Sequence, residues 1–124
     1  MEANKYQKLA MRTNDEKSTL RLNNIIKENE NYDIGGILYA CLGLSGESGE
    51  FIDIIKKWIF HEKDLDIYHL KRECGDILWY VTMLCYSFGW DIEEIMKINI
   101  EKLKTRYPNG FDINIANNRD ENDI

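Results

Sequence analysis

Glu47 and Glu50, and again Glu73 and Asp76, stand three positions apart, each pair inside a segment of helical apolar periodicity. That spacing stacks two carboxylates on one helix face. At an effective dielectric near 20, two like unit charges about 5 Å apart repel by roughly 3 kcal/mol, so four converging acids make physical sense around a cation. Oxygen is the only donor type on offer. Mg²⁺ or Mn²⁺ is therefore expected rather than zinc, because Mg²⁺ is held by carboxylates together with waters and substrate phosphates.

Surface helices are rich in Glu and Asp, so either pair alone carries little weight. Their placement adds more. At about 100° per residue, Glu47 and Glu50 fall on the flank of the stripe Ile37, Cys41, Leu44, Phe51 and Ile55, and Glu73 with Asp76 flank a second stripe. Helices packed through those stripes bring the flanks together at one edge of the core. Lys57 follows Glu50 by seven positions and so lies about 20° from it around the helix, while Lys56 points away. Asn99, Lys102 and Arg106, spaced by three and four, put an amide, an ammonium and a guanidinium on one face able to hold a polyphosphate or a base edge. The competing reading of the basic residues there is a solvated last turn that complements the helix dipole.

The elements that must position these groups are helices. A first helix is expected over 2–12, and residues 14–32 read as a polar connecting segment in which Leu20, Leu22, Ile25 and Ile26 allow a short amphipathic turn or helix. A long helix runs from the cap Asp33 to about His61, with Gly43, Gly46 and Gly49 inside it. Each interior glycine costs roughly 1 kcal/mol relative to Ala, which marks a close approach, a bend or a ligand surface. A third helix spans about Ile67 to Phe88 and closes at Gly89, and a fourth starts at Asp91, with Glu94 three residues on, and ends before Pro108-Asn109-Gly110. Four helices without a strand signal mean an all-α, four-helix bundle-like domain over residues 1–111, followed by a polar tail, 112–124, expected to be mobile.

The whole chain of 124 residues suits one domain whose modest core gains from an oligomer. Its 44% hydrophobic and 31% charged residues exclude a disordered chain, and no apolar run reaches the roughly 18 residues of a bilayer span. The formal charge of −6 repels duplex nucleic acid, although a small phosphate ligand accompanied by a divalent metal is compatible with it. Cys41, Cys74 and Cys85 are odd in number and lack CxxC spacing, which fits reduced core thiols. The first residues carry no secretion pattern, so the cytoplasm is the expected compartment.

Three stretches together, Gly43 to Glu50, Glu73 to Tyr80, and Asn99 through Lys102-Leu103 to Arg106-Tyr107-Pro108, closely resemble the MazG-like, all-α nucleoside triphosphate pyrophosphohydrolases. The resemblance runs from the Tyr6-Gln7 region to Phe111. It implies a helical core that dimerises, sometimes as a dimer of dimers, and Mg²⁺-dependent hydrolysis of an NTP or dNTP to the monophosphate and pyrophosphate. It implies Glu47, Glu50, Glu73 and Asp76 as metal ligands, with Glu47 or Glu50 also taking the proton of the attacking water. Lys57, Lys102 and Arg106 would then bind the phosphate tail, Asn99 the substrate or a nearby water, and Tyr80 and Trp79 would be candidates to stack on a base, against the commoner role of aromatics as core.

Rival readings are a phosphoribosyl-ATP-type pyrophosphohydrolase, a di-iron bundle and a non-enzymatic helical interaction module. The di-iron reading needs Glu-x-x-His, and neither His61 nor His69 supplies a full match. A P-loop fails because Gly43 to Glu50 lacks the Gly-Lys-Ser/Thr ending. The interaction module predicts no metal dependence at all.

Overall fold

The computed structural model describes all 124 residues and is all-α. Six helices follow one another: α1 Ala3–Ala10, continued by a 3₁₀ turn at Met11–Thr13, then α2 Ser18–Glu28, α3 Ile34–Phe60, α4 Ile67–Phe88, α5 Ile92–Arg106 and α6 Ile113–Asn117.

The boundaries of the long helices follow from their caps. Asp33, Asp66 and Asp91 each stand just before a helix, and their carboxylates accept from the backbone N–H of Gly36 (3.1 Å), His69 (2.9 Å) and Glu93 (3.1 Å). Each satisfies one donor that the helix start leaves without a partner, an effect typically worth about 1 kcal/mol. Helix α4 stops at Gly89, whose φ of 76° is the left-handed conformation that glycine adopts without penalty. The N–H of Trp90 then reaches back to the Cys85 carbonyl at 2.8 Å.

Within the connecting segment 14–32, α2 takes up the short helix that Leu20, Leu22, Ile25 and Ile26 allow. Asp15 holds the start of that helix by accepting from the Lys17 N–H at 3.1 Å and from Arg21 Nη1 at 3.0 Å. Leu20, Leu22, Ile25 and Ile26 all remain exposed, so α2 follows from local hydrogen bonding rather than burial. The segment expected to be a mobile tail contains α6, capped by Asp112, and then returns so that Asp123 meets Arg106.

Helices α3 and α4 form the one extensively packed pair. They fold into an antiparallel hairpin, closed at one end by the Asp33 N–H bonded to the Ser87 carbonyl at 3.0 Å. Gly36 is needed there, because a Cβ at that position would lie 2.3 Å from Ser87 Oγ. Ile37, Leu44, Phe51 and Ile55 face Leu70, Ile77, Val81 and Leu84 with partial burial, as the two stripes require. Only Gly36, Ala40, Glu73, Cys85 and Ser87 are fully buried, so a single chain does not close a core around these helices. Of the expected core thiols Cys85 is buried, while Cys41 and Cys74 are exposed on the outer faces of the hairpin. No helix is long and apolar enough to cross a membrane.

Candidate metal centre

The hairpin brings Glu47, Glu73 and Asp76 together, with one carboxylate oxygen from each within 4.8 Å of the others. Crossing of the stripe flanks explains this, because Glu47 descends α3 while Glu73 and Asp76 climb α4 on the side that faces it. Glu73 is buried to 7% exposure, Glu47 is half-buried and Asp76 is exposed. Glu47 Oε2 and Glu73 Oε2 are both buried without a hydrogen-bond partner. Buried carboxylate oxygens left unsatisfied cost free energy that a cation recovers, and an all-oxygen donor set fits Mg²⁺ or Mn²⁺. Glu50 lies outside this trio. It is exposed and lines the cleft beside Glu73.

The electrostatics agree with the geometry. Glu47 is pushed up to about 7, first by the hydrogen bond it shares with Glu73, then by burial and by the negative charges of Glu50, Glu73 and Asp76. Glu73 is correspondingly held below the usual carboxylate range, because Glu47 donates to it and the His69 side chain adds a second bond. The two acids thus oppose each other's ionisation, a repulsion that a divalent cation would relieve.

Two clefts meet at the acids. The larger, about 610 Å³, lies toward the α3–α4 loop and is lined by Glu50, Asp53, Lys57, Lys63, His69 and Glu73 among others. Gly46 and Gly49 border it with open space where their Cβ atoms would be. Lys57 Nζ is 2.7 Å from Asp53, which also takes Lys56 at 3.0 Å and is lowered to about 2 by the two ammonium groups. The smaller cleft, about 320 Å³, is lined by Tyr39, Glu47, Asp76, Trp79 and Tyr80.

The remaining candidates are placed differently. Tyr80 packs on α3 at Gly43, where a Cβ would come within 2.1 Å of its ring, so Gly43 serves this close approach. Trp79, by contrast, is largely exposed. Asn99, Lys102 and Arg106 ride on α5 and line neither cleft. Arg106 is half-buried against Asp123, with Nε to Oδ2 at 2.7 Å and Nη2 to Oδ1 at 2.5 Å, and Lys102 Nζ lies 3.4 Å from the Ile124 carbonyl.

Three residues at the site were not singled out from the sequence. His69 Nε2 donates to Glu73 Oε1 at 2.9 Å, and the separation of four positions on a helix was its signal. Asp53 was likewise signalled by Lys57 four positions on. Tyr39 has no such signal, because only the crossing of α3 over α4 brings it to Trp79.

An all-α hairpin that gathers three carboxylates beside two clefts offers the oxygen donors that a divalent cation takes. Comparison with known proteins makes the assignment specific: residues 38–111 match the MazG nucleotide pyrophosphohydrolase domain, and the chain belongs to that family. It is also 33% identical over 91 residues to the Gene 37 protein of Mycobacterium phage L5, an alignment covering 69% of this chain and 79% of that one. No solved structure matches the chain.

Proposed function

We propose that this protein hydrolyses an NTP or dNTP to the nucleoside monophosphate and pyrophosphate with Mg²⁺, or Mn²⁺ in its place. The reading rests above all on the paired, buried, unpartnered oxygens of Glu47 and Glu73 beside Asp76. Glu47, Glu50, Glu73 and Asp76 hold the metal. When bound, the ion supplies charge neutralisation for the phosphate oxygens and a lowered pKa for the attacking water.

The chain's own groups supply the rest. Glu47 or Glu50 takes the proton of a water whose oxygen forms a new bond to the α-phosphorus, while the bond to the α–β bridging oxygen breaks and pyrophosphate leaves. Lys57 sits on the cleft wall next to Glu50, where its ammonium meets phosphate oxygens. Tyr80, anchored at Gly43, forms the floor beneath the sugar or base. Asn99, Lys102 and Arg106 join the substrate from α5, and for Arg106 this requires a phosphate to replace the Asp123 carboxylate.

A homodimer, or a tetramer of two dimers, belongs to the same proposal. Leu38, Leu42, Leu78 and Tyr86 lie exposed on the outer faces of the hairpin, where a lone chain leaves apolar surface that a second copy would cover. The proposed setting is cytoplasmic, where nucleotides and Mg²⁺ are at hand.

The experiment is a pyrophosphate-release assay over the common nucleoside triphosphates with and without Mg²⁺. Release that requires the ion and disappears in Glu73→Gln, with the variant still folded, is the expected result. A melting temperature unmoved by Mg²⁺ or Mn²⁺ together with no release from any nucleotide would overturn the proposal, because a ligand bound only by the native state must raise it.

A further inference from the structure

The last residues of the chain return to α5 and settle on its cations. Asp123 offers both carboxylate oxygens to the Arg106 fork, Oδ2 to Nε at 2.7 Å and Oδ1 to Nη2 at 2.5 Å, while the Ile124 carbonyl faces Lys102 Nζ at 3.4 Å. Arg119, from the tail itself, adds a third positive charge that favours the ionised form of Asp123. The contact leaves 9% of the Arg106 side chain and 30% of the Asp123 side chain exposed. A planar guanidinium with an ammonium beside it is also the arrangement that takes a phosphate.

Little else fastens the tail. Phe111, Ile113 and Ile124 are 76%, 65% and 91% exposed, so apolar burial does not anchor the return. Asp112 caps Asn114 and Ile115, Asn118 bonds to the Asn114 carbonyl, and the Asp123 N–H bonds to the Asp120 carbonyl, all within the tail. The hydrogen bonds that leave residues 112–124 are those received from Arg106 and Lys102. From Asn118 onward the chain is polar, with one arginine against Asp120, Glu121 and Asp123.

A tail held in this way can be exchanged for a ligand. Pyrophosphate carries more charge and more oxygens than one carboxylate, so it can take both bonds of the guanidinium and engage Lys102 at the same time. What it displaces is a partly exposed ion pair, which is weak by comparison with a buried one. The displaced residues return to water without exposing a core.

We infer that the tail is a built-in strap: Asp123 stands in for a phosphate on α5, and a phosphate chain arriving there displaces it and frees residues 118–124. For the identity of the ligand the inference rests on the pyrophosphohydrolase reading, and it adds a regulatory element outside the carboxylate centre. The closed strap lowers the affinity of α5 for phosphate by the fraction of time that it is shut.

The test is made on the full chain in buffer without divalent ions, where the hairpin acids repel an anion and α5 is read alone. Inorganic pyrophosphate is the probe, and sodium chloride at equal ionic strength controls for screening. Backbone ¹⁵N relaxation of residues 118–124 is expected to fall from the ordered range to order parameters below about 0.6 with pyrophosphate and to stay ordered in sodium chloride. Asp123→Ala is expected to free the tail without any ligand and to bind pyrophosphate about threefold more tightly by calorimetry, with unchanged helix content by circular dichroism. The strap is overturned if the tail stays ordered when pyrophosphate is bound, if it loosens equally in sodium chloride, or if it is already disordered without ligand. It is equally overturned if Asp123→Ala leaves the affinity unchanged or if the parent chain binds no pyrophosphate. The pyrophosphohydrolase reading is decided separately by Mg²⁺-dependent release from nucleotides, so the two failures are told apart.

Discussion

At the α3–α4 hairpin, Glu47, Glu73 and Asp76 crowd within 4.8 Å without a lysine or arginine in ion-pair distance of any of them, whereas at the end of α5 Arg106 is half-buried against a carboxylate that matches its fork. The two regions are similar in burial and opposite in charge bookkeeping. Arg106 and Asp123 satisfy each other: the guanidinium holds Asp123 below the usual carboxylate range, and Asp123 raises Arg106 in return. The hairpin acids do the reverse, pushing Glu47 up to about 7 through one another. A folded chain that leaves one set of charges in mutual repulsion while neutralising another has kept the first for something that binds.

Glu73→Gln tests this contrast most severely. Removing the most buried of the acids is expected to lower Mg²⁺-dependent pyrophosphate release by at least about 100-fold, since substituting even residues one shell removed from a metal costs roughly 10–100-fold. In metal-free buffer the same variant should melt close to the parent, because the amide keeps an oxygen for His69 and hydrogen-bonding capacity toward Glu47. A lower melting temperature without metal would mean that Glu73 is a structural acid and would erase the difference between the regions.

His69→Ala comes next in size. The ring fixes one oxygen of Glu73 at 2.9 Å, so its loss should weaken Mg²⁺ binding by about 10- to 100-fold while His69→Gln, which retains a donor, recovers part of the affinity. Titration of Mn²⁺ by electron paramagnetic resonance measures this without reference to turnover. An affinity unchanged in both variants would show that Glu73 needs no support from its own helix.

The acidity of Glu47 gives a third measurement, with a definite sign. Its folded-state pKa, about 7, lies above the 4.5 of an unperturbed Glu, so between those values the native state binds more protons than the unfolded one and stability falls as pH rises. A divalent cation beside Glu47 favours its ionised form and reverses that loss. The gain in melting temperature on adding Mg²⁺ should therefore be small near pH 5 and grow through pH 7 to a plateau. A gain independent of pH would place the ion away from Glu47.

Much of this arrangement was legible from spacing alone, and the parts that were not have a common cause. Asp33, Asp66, Gly89 and Asp91 mark the ends of α3, α4 and α5 through local hydrogen bonds and a left-handed φ, which depend only on neighbouring residues. The acids were legible for a related reason, since a separation of three on a helix needs no tertiary information. Helix α2 is legible only as a short turn or helix within a connector, because its few apolar residues never become buried and the periodic signal that reveals a packed helix is weak there. Tyr39 and Lys63 were invisible because each reaches the site through an event outside helical periodicity: the crossing of α3 over α4, and the left-handed turn at Glu62. Asp123 lies 17 positions from Arg106, beyond a turn and a short helix, and a polar composition says nothing about that return.

Asp123→Asn, the mildest of these changes, acts on the satisfied region and so defines the other half of the contrast. If the pair only fastens the tail, the variant loses a few degrees of melting temperature and nothing else, as expected when one charge of a partly buried pair is neutralised. If Arg106 also receives phosphate, Asp123 competes with substrate for the same fork, and the variant should lower KM by about threefold with kcat unchanged. We expect the second pattern, because Lys102 on the same face of α5 also reaches only a backbone oxygen of the tail and is free to exchange it. Acid supplies an independent check on the stability component: the bond from Arg106 holds Asp123 below the usual carboxylate range, so its contribution is present at neutral pH and is lost as pH falls through the folded value. The Mg²⁺-dependent gain at Glu47 disappears with falling pH as well, but from about 7 downward, so a pH series of melting temperatures with and without Mg²⁺ separates the two regions in one experiment.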